Sequence, residues 1–234
     1  CVHCGRETKK SFNQGYCYPC FISLAQCDMC ILKPETCHYA AGTCREPAWG
    51  ETFCMQTHYV YLANSSGIKV GITRQNQIPT RWIDQGAVQA LPIFKVQSRY
   101  ISGLVEVVIA KHISDKTSWQ QMLKNNVEVI DLAVKRDELM ETCKTELADI
   151  TQRFGPQAIE CLPDEQSVDI HYPVKRYPDK VKSFNLDANP IVSGILEGIK
   201  GQYLLLDTGV INLRKYSGYE LEFSALDKVD ELLQ

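Results

Sequence analysis

The sequence predicts an α+β protein in three parts. These are a metal-stabilised module over residues 1–57, a small mixed α/β domain with a helical extension over 58–155, and a β-rich meander or small barrel over 156–234. Three observations carry that reading. Nine of the eleven cysteines fall within the first 54 residues. A hairpin pattern followed by helical periodicity starts at Tyr59. The last third alternates short apolar runs with glycine-bearing turns.

In the first part, four cysteines read Cys1-x2-Cys4-x12-Cys17-x2-Cys20. Two such pairs, a dozen residues apart, present four thiolates to one tetrahedral zinc ion. Four thiolates leave no open coordination position, so the ion is expected to be structural. The surrounding residues are rich in Cys, Gly and Pro and lack periodicity, so metal must serve as their core. A redox Cys-x-x-Cys needs a βαβ context that is absent here, and the His-x-Glu element of zinc deaminases is missing. The expected module is zinc-ribbon-like. Cys27, Cys30, Cys37, His38, Cys44, Cys54 and His58 offer more ligands than one further ion needs. Cys30, Cys37, Cys44 and Cys54 make a closed second set, with His38, His58 or Cys27 as substitutes. His58 abuts the Tyr59 strand and has an alternative place facing the groove of the central domain.

In the second part, residues 59–63 read as a strand, Asn64 to Gly67 as a turn and residues 68–72 as the returning strand. A helix is expected to start near Pro79 and to carry Arg81 and Trp82, the latter as core. Residues 92–99 read as a third strand, and residues 104–113 as an apolar helix following Ser102-Gly103. A helical stretch over 118–154, broken around Asn125-Asn126, puts Leu139, Met140, Cys143, Leu147 and Ile150 on one stripe. Gly155-Pro156 ends it. Cys143 and Cys161 read as ordinary packing or loop residues.

The third part shows alternation at Val168, Ile170 and Tyr172, then expected strands over 191–199, 202–206, 210–213 and 219–223.

Net charge is −3, which gives no global attraction to nucleic acid, so any such surface must be local. Arg6, Lys9, Lys10 and Arg74 are the candidates for it. No apolar run reaches the roughly 18 residues of a membrane span and no secretory signal is visible. Paired cysteines without such a signal fit metal ligation in a reducing cytoplasm, and no membrane partner is expected.

The central residues resemble the GIY-YIG nuclease superfamily. Tyr59-Val60-Tyr61 matches the first signature tripeptide, and Lys69-Val70-Gly71 stands where the second belongs. Arg81 matches the arginine of the first helix, and Glu106 the glutamate of a later one, so the resemblance covers about residues 59–115. It implies metal-dependent hydrolysis of a DNA or RNA phosphodiester. Tyr61 would orient or deprotonate water, Arg81 would clamp phosphate and Glu106 would hold Mg²⁺ or Mn²⁺. Lys69 replaces the second signature tyrosine; it can still touch phosphate, but it changes the protonation chemistry. Glu106 has support of its own, because a carboxylate among Val105, Val107, Ile109 and Ala110 is expensive to bury without a partner or a metal. The plainer alternatives are an edge-exposed Glu106 and sheet-packing tyrosines.

The chain also resembles, end to end, a bacterial family catalogued as a domain of unknown function (number 2797). The stretches that carry this are Cys17-Tyr-Pro-Cys-Phe, Cys37-His-Tyr, Gly42-Thr-Cys-Arg-Glu-Pro, Lys69-Val-Gly-Ile-Thr-Arg74, Arg81-Trp-Ile-Asp-Gln-Gly-Ala87 and Gly198-Ile-Lys-Gly-Gln-Tyr203. That resemblance implies a further segment ahead of Cys1 and brings no activity with it. Nuclease chemistry is the leading expectation. The alternatives are a zinc-ribbon nucleic-acid-binding module on a degenerate nuclease fold, and a protein-interaction adaptor using the C-terminal part.

Overall fold

The computed structural model describes residues 1–113 and 117–225. Residues 226–234 of the expected third part lie outside them. The first stretch is turns and single-turn helices. Regular structure is confined to α1 (Tyr18–Ser23) and α2 (Pro47–Phe53), each with proline in its first turn, where no backbone N–H is needed.

The centre is an antiparallel sheet. β1 (His58–Asn64) pairs with β2 (Ile68–Arg74) on one side and β3 (Gln89–Val96) on the other. Short strands β4 (Ile159–Cys161) and β5 (Val168–Asp169) extend it by pairing with β3. Alternation along β1 divides the two faces. Val60 and Leu62 point to a core completed by Leu91, Ile93, Phe94, Val105, Ile109, Leu132 and Leu147. Tyr61 and Ala63 point to the opposite face, against Trp82, Ala87 and Ala90. Each large side chain buried here contributes about 1.5–3 kcal/mol.

Helix α3 (Thr80–Asp84) follows β2, and α4 (Arg99–Ala110) follows β3. Two boundaries differ from the sequence expectation. The third strand ends at Val96 and not at residue 99, because Ser98 caps α4 by accepting the Ile101 N–H at 3.3 Å. The helix therefore starts at Arg99 instead of residue 104, with Ser102 and Gly103 buried inside it. Those small residues serve close packing and not a turn. A Cβ on Gly103 would lie 2.6 Å from Glu35 N and 2.8 Å from Pro34 C, so α4 rests directly on the backbone of residues 34–36.

The helical stretch breaks twice. α5 (Trp119–Leu123) ends before Asn125, which is left-handed at φ 56°. α6 (Leu132–Thr142) and α7 (Lys144–Phe154) are separated at the fully buried Cys143. Between α5 and α6 the chain is extended because buried Asn64 and Gln89 hold it. Asn64 Nδ2 donates to Glu128 O at 2.7 Å, while Gln89 Nε2 donates to Ile130 O at 3.2 Å and its Oε1 accepts Ile130 N–H at 3.0 Å.

The C-terminal part is a meander of β6 (Leu196–Lys200), β7 (Tyr203–Leu206) and β8 (Gly209–Asn212). It is not a barrel. The expected strand over 191–199 shrinks to β6, and residues 219–223 form none, leaving three strands that cannot close on themselves. This part braces α3: Tyr172 Oη donates to Ile83 O and Ala87 O, and Arg214 pairs with Asp84 while donating to Gln14 Oε1 at 2.9 Å. No helix among the described residues is long and apolar enough to cross a membrane.

Candidate functional site

Cys1, Cys4, Cys17 and Cys20 come together, their sulfurs within 4.8 Å of one another. The backbone builds this locally. The N–H of Gly5 bonds back to Cys1 O, closing the first turn, and a short hairpin pairs Phe12 with Tyr16 before Cys17 caps α1. The Cys4 and Cys17 sulfurs are 3.8 Å apart. That is far beyond a disulfide bond of about 2 Å. It equals the edge, about 3.8 Å, of a tetrahedron with zinc–sulfur bonds near 2.3 Å. The Arg6 backbone N–H holds the Cys4 thiol below its usual value, as an amide hydrogen-bonded to a ligating sulfur does. Burial and the neighbouring Cys17 and Cys4 push Cys20 up to about 12, a crowding that a divalent cation reverses. Four cysteines at this separation are a donor set for a metal such as zinc.

Cys30, Cys37, Cys44 and Cys54 line one small cavity, together with Asp28 and His38. Asp28, Cys30 and His38 also lie close enough to share an ion. His58 is fully buried, its Nδ1 bonded to Gln56 O at 2.8 Å, and burial pushes its pKa down to about 4. It is therefore neutral and pointed away from the sheet face that carries Tyr61.

On that face, Tyr61 lies opposite Gly71 in the β1–β2 register, and Lys69 lies opposite Ala63. The Tyr61 ring covers Gly71: a Cβ there would sit 2.7 Å from Tyr61 Cζ and Oη. Glycine is thus required at position 71 by the tyrosine across from it. Tyr61 packs on Trp82, with ring centroids 6.0 Å apart, and its hydroxyl donates to Gln85 Oε1 at 3.0 Å. It is fully buried, and that burial pushes its pKa up to about 12 despite the Arg81 guanidinium beside it. Arg81 is exposed on α3.

Glu106 is half-buried on α4, and burial pushes its carboxyl up to about 7. Arg99 and Arg81 favour its charged form and Glu35 opposes it. Glu106 in turn adds to the upward push on the Tyr61 hydroxyl. The structure therefore brings Tyr61, Arg81 and Glu106 within electrostatic reach, from three different elements.

The basic candidates are dispersed. Arg6, Lys9 and Lys10 are exposed on the first module, Lys10 with its Nζ 5.1 Å from the Phe12 ring centroid. Arg74 stacks its guanidinium on Phe53 at 4.6 Å. Three site residues are missed by the sequence reading. Gln85 carries a usable signal, since it caps the helix that carries Arg81, four residues on. Arg99 falls at the end of the expected strand over 92–99, and Glu35 reaches Glu106 only through the packing of Gly103 against residues 34–36.

No curated protein and no solved structure matches the chain. A family described as "Protein of unknown function (DUF2797)" matches residues 1–221. Cysteine frame, hairpin, arginine helix and meander all fall inside that span, and the chain belongs to this family.

Proposed function

We propose that the protein is a metal-dependent phosphodiesterase acting on nucleic acid through a GIY-YIG-like site, with a zinc-ribbon module held by Cys1, Cys4, Cys17 and Cys20. The observation that carries it is the electrostatic influence that Tyr61, Arg81 and Glu106, from β1, α3 and α4, share. The tight fit of the Tyr61 ring on Gly71 supports it, because it gives a physical reason for a glycine to end the second signature. Glu106, with Glu35 nearby, is suited to Mg²⁺ or Mn²⁺, hard cations that prefer carboxylate oxygen. Such an ion supplies a Lewis acid for the leaving oxygen.

Each residue's part follows from its environment. Arg81, charged and exposed, clamps a phosphate oxygen. Tyr61, buried and held far from ionisation, is unsuited to deprotonate water and instead fixes the position of Gln85 and Arg81. Lys69 shares its sheet face and is offered as a second phosphate contact.

A second reading has its own support. The burial of Tyr61, with its hydroxyl tied to Gln85, and the lysine at position 69 fit a nucleic-acid-binding module on a degenerate nuclease fold. Comparing Glu106→Gln with Tyr61→Phe separates the two. The enzymatic reading expects Glu106→Gln to lose divalent-dependent cleavage by roughly 100-fold or more, with Tyr61→Phe milder. Nucleic-acid binding by a parent that cleaves nothing favours the second.

A further inference from the structure

We propose that the cavity lined by Cys30, Cys37, Cys44 and Cys54, with Asp28 and His38 on its wall, binds a second zinc ion, and that this ion fastens the start of α4 to the first module. The four thiols come from separate turns, yet all line one cavity of about 10 Å³ open to a water-sized occupant. That is room for one small species. α2 supplies a wall, with a Cβ position on Gly50 lying 3.5 Å from Cys44 Sγ.

Asp28 and His38 line the same cavity and, with Cys30, lie close enough to share an ion, so His38 Nε2 is a candidate for one ligand position. Asp28 Oδ2 takes the Arg45 Nε–H at 2.7 Å and Oδ1 takes the Cys30 N–H at 3.2 Å. His38 Nδ1 is bonded to Thr43 Oγ1 at 2.7 Å, and its Nε2 lies 3.6 Å from Asp28 Oδ2. A histidine oriented through one ring nitrogen presents the other to a metal, and the Arg45 guanidinium balances the charge of Asp28.

The site has a mechanical consequence. The first residue of α4 is held at two points that flank the cysteines. Cys54 O accepts the Arg99 N–H at 2.8 Å, and Arg99 Nη2 donates to Ile31 O, next to Cys30, at 2.6 Å. An ion drawing Cys30 and Cys54 together sets both anchors at once, and with them the helix that carries Glu106.

The test is metal content of the purified chain, of Cys1→Ser/Cys4→Ser and of Cys37→Ser/Cys44→Ser. Two equivalents of zinc in the parent and one in each double variant are expected. One equivalent in the parent, lost entirely with Cys1→Ser/Cys4→Ser, overturns the proposal, as does zinc undiminished in Cys37→Ser/Cys44→Ser. If either double variant fails to fold, alkylation of the zinc-loaded parent decides. Cys30, Cys37, Cys44 and Cys54 should react only after chelation. Equal reactivity before and after contradicts the proposal. None of these readouts depends on nuclease activity.

Discussion

Glu106 sits where burial and the nearby Glu35 resist its charge while Arg99 and Arg81 support it. With its carboxyl raised to about 7 from an ordinary 4.5, the folded state holds a proton that the unfolded chain releases. The stability this contributes is full below about 4.5 and is lost as pH climbs through about 7. In metal-free buffer, Glu106→Gln should therefore gain on the parent across that window, by at most about 3 kcal/mol. Thermal melts from pH 4 to 8 read it, and a gap that stays flat with pH contradicts it. Cleavage should rise with pH through about 7, and more Mg²⁺ or Mn²⁺ should move the inflection down, since metal and proton compete for the carboxylate. At Gly71 the added methyl of alanine would collide with the Tyr61 ring. Gly71→Ala should cost roughly 1–3 kcal/mol and reduce cleavage well beyond the loss of folded protein, as measured by melting and activity assayed together.

The β1–β2 hairpin is legible in the sequence because apolar alternation on either side of Asn64 to Gly67 admits few other pairings. The arginine helix is legible from Pro79. α4 is misread at its start because Ser102-Gly103 looks like a turn, whereas the glycine is there to let the helix touch residues 34–36. That contact is long-range and leaves no local pattern. Strand β4 is too short for periodicity, and of the alternation read at Val168, Ile170 and Tyr172 only Val168–Asp169 becomes a strand, because β3 offers an edge to both. Gly103→Ala tests the α4 contact. Its Cβ has backbone on the other side, which cannot swing away, so a loss of about 2 kcal/mol or more is expected. A melting temperature equal to the parent's contradicts the packing described.

For the whole molecule, the cysteine frame is the most legible feature, since ligand spacing is a property of sequence and the fold merely closes it. The contacts that make one body of three stretches are the least legible. Arg214 reaches both Asp84 and Gln14, and the C-terminal meander thereby braces the helix that carries Arg81. Chelation should accordingly melt the first module and then loosen α4, because the proposed metal sites take the place of an apolar core in the module's turns. Hydrogen exchange should show protection lost first over residues 1–57 and next at the start of α4. Uniform loss over the whole chain, or none, contradicts that order.

The central claim is that Tyr61, Arg81 and Glu106 form a cleavage site. It is tested most directly by incubating zinc-loaded protein with single- and double-stranded DNA and RNA in Mg²⁺ or Mn²⁺, beside Arg81→Ala and Glu106→Gln. The account predicts divalent-dependent cleavage of at least one substrate by the parent, lost in both variants while their melting curves stay cooperative. Cleavage undiminished in both variants, or none by a folded parent on any substrate, contradicts it.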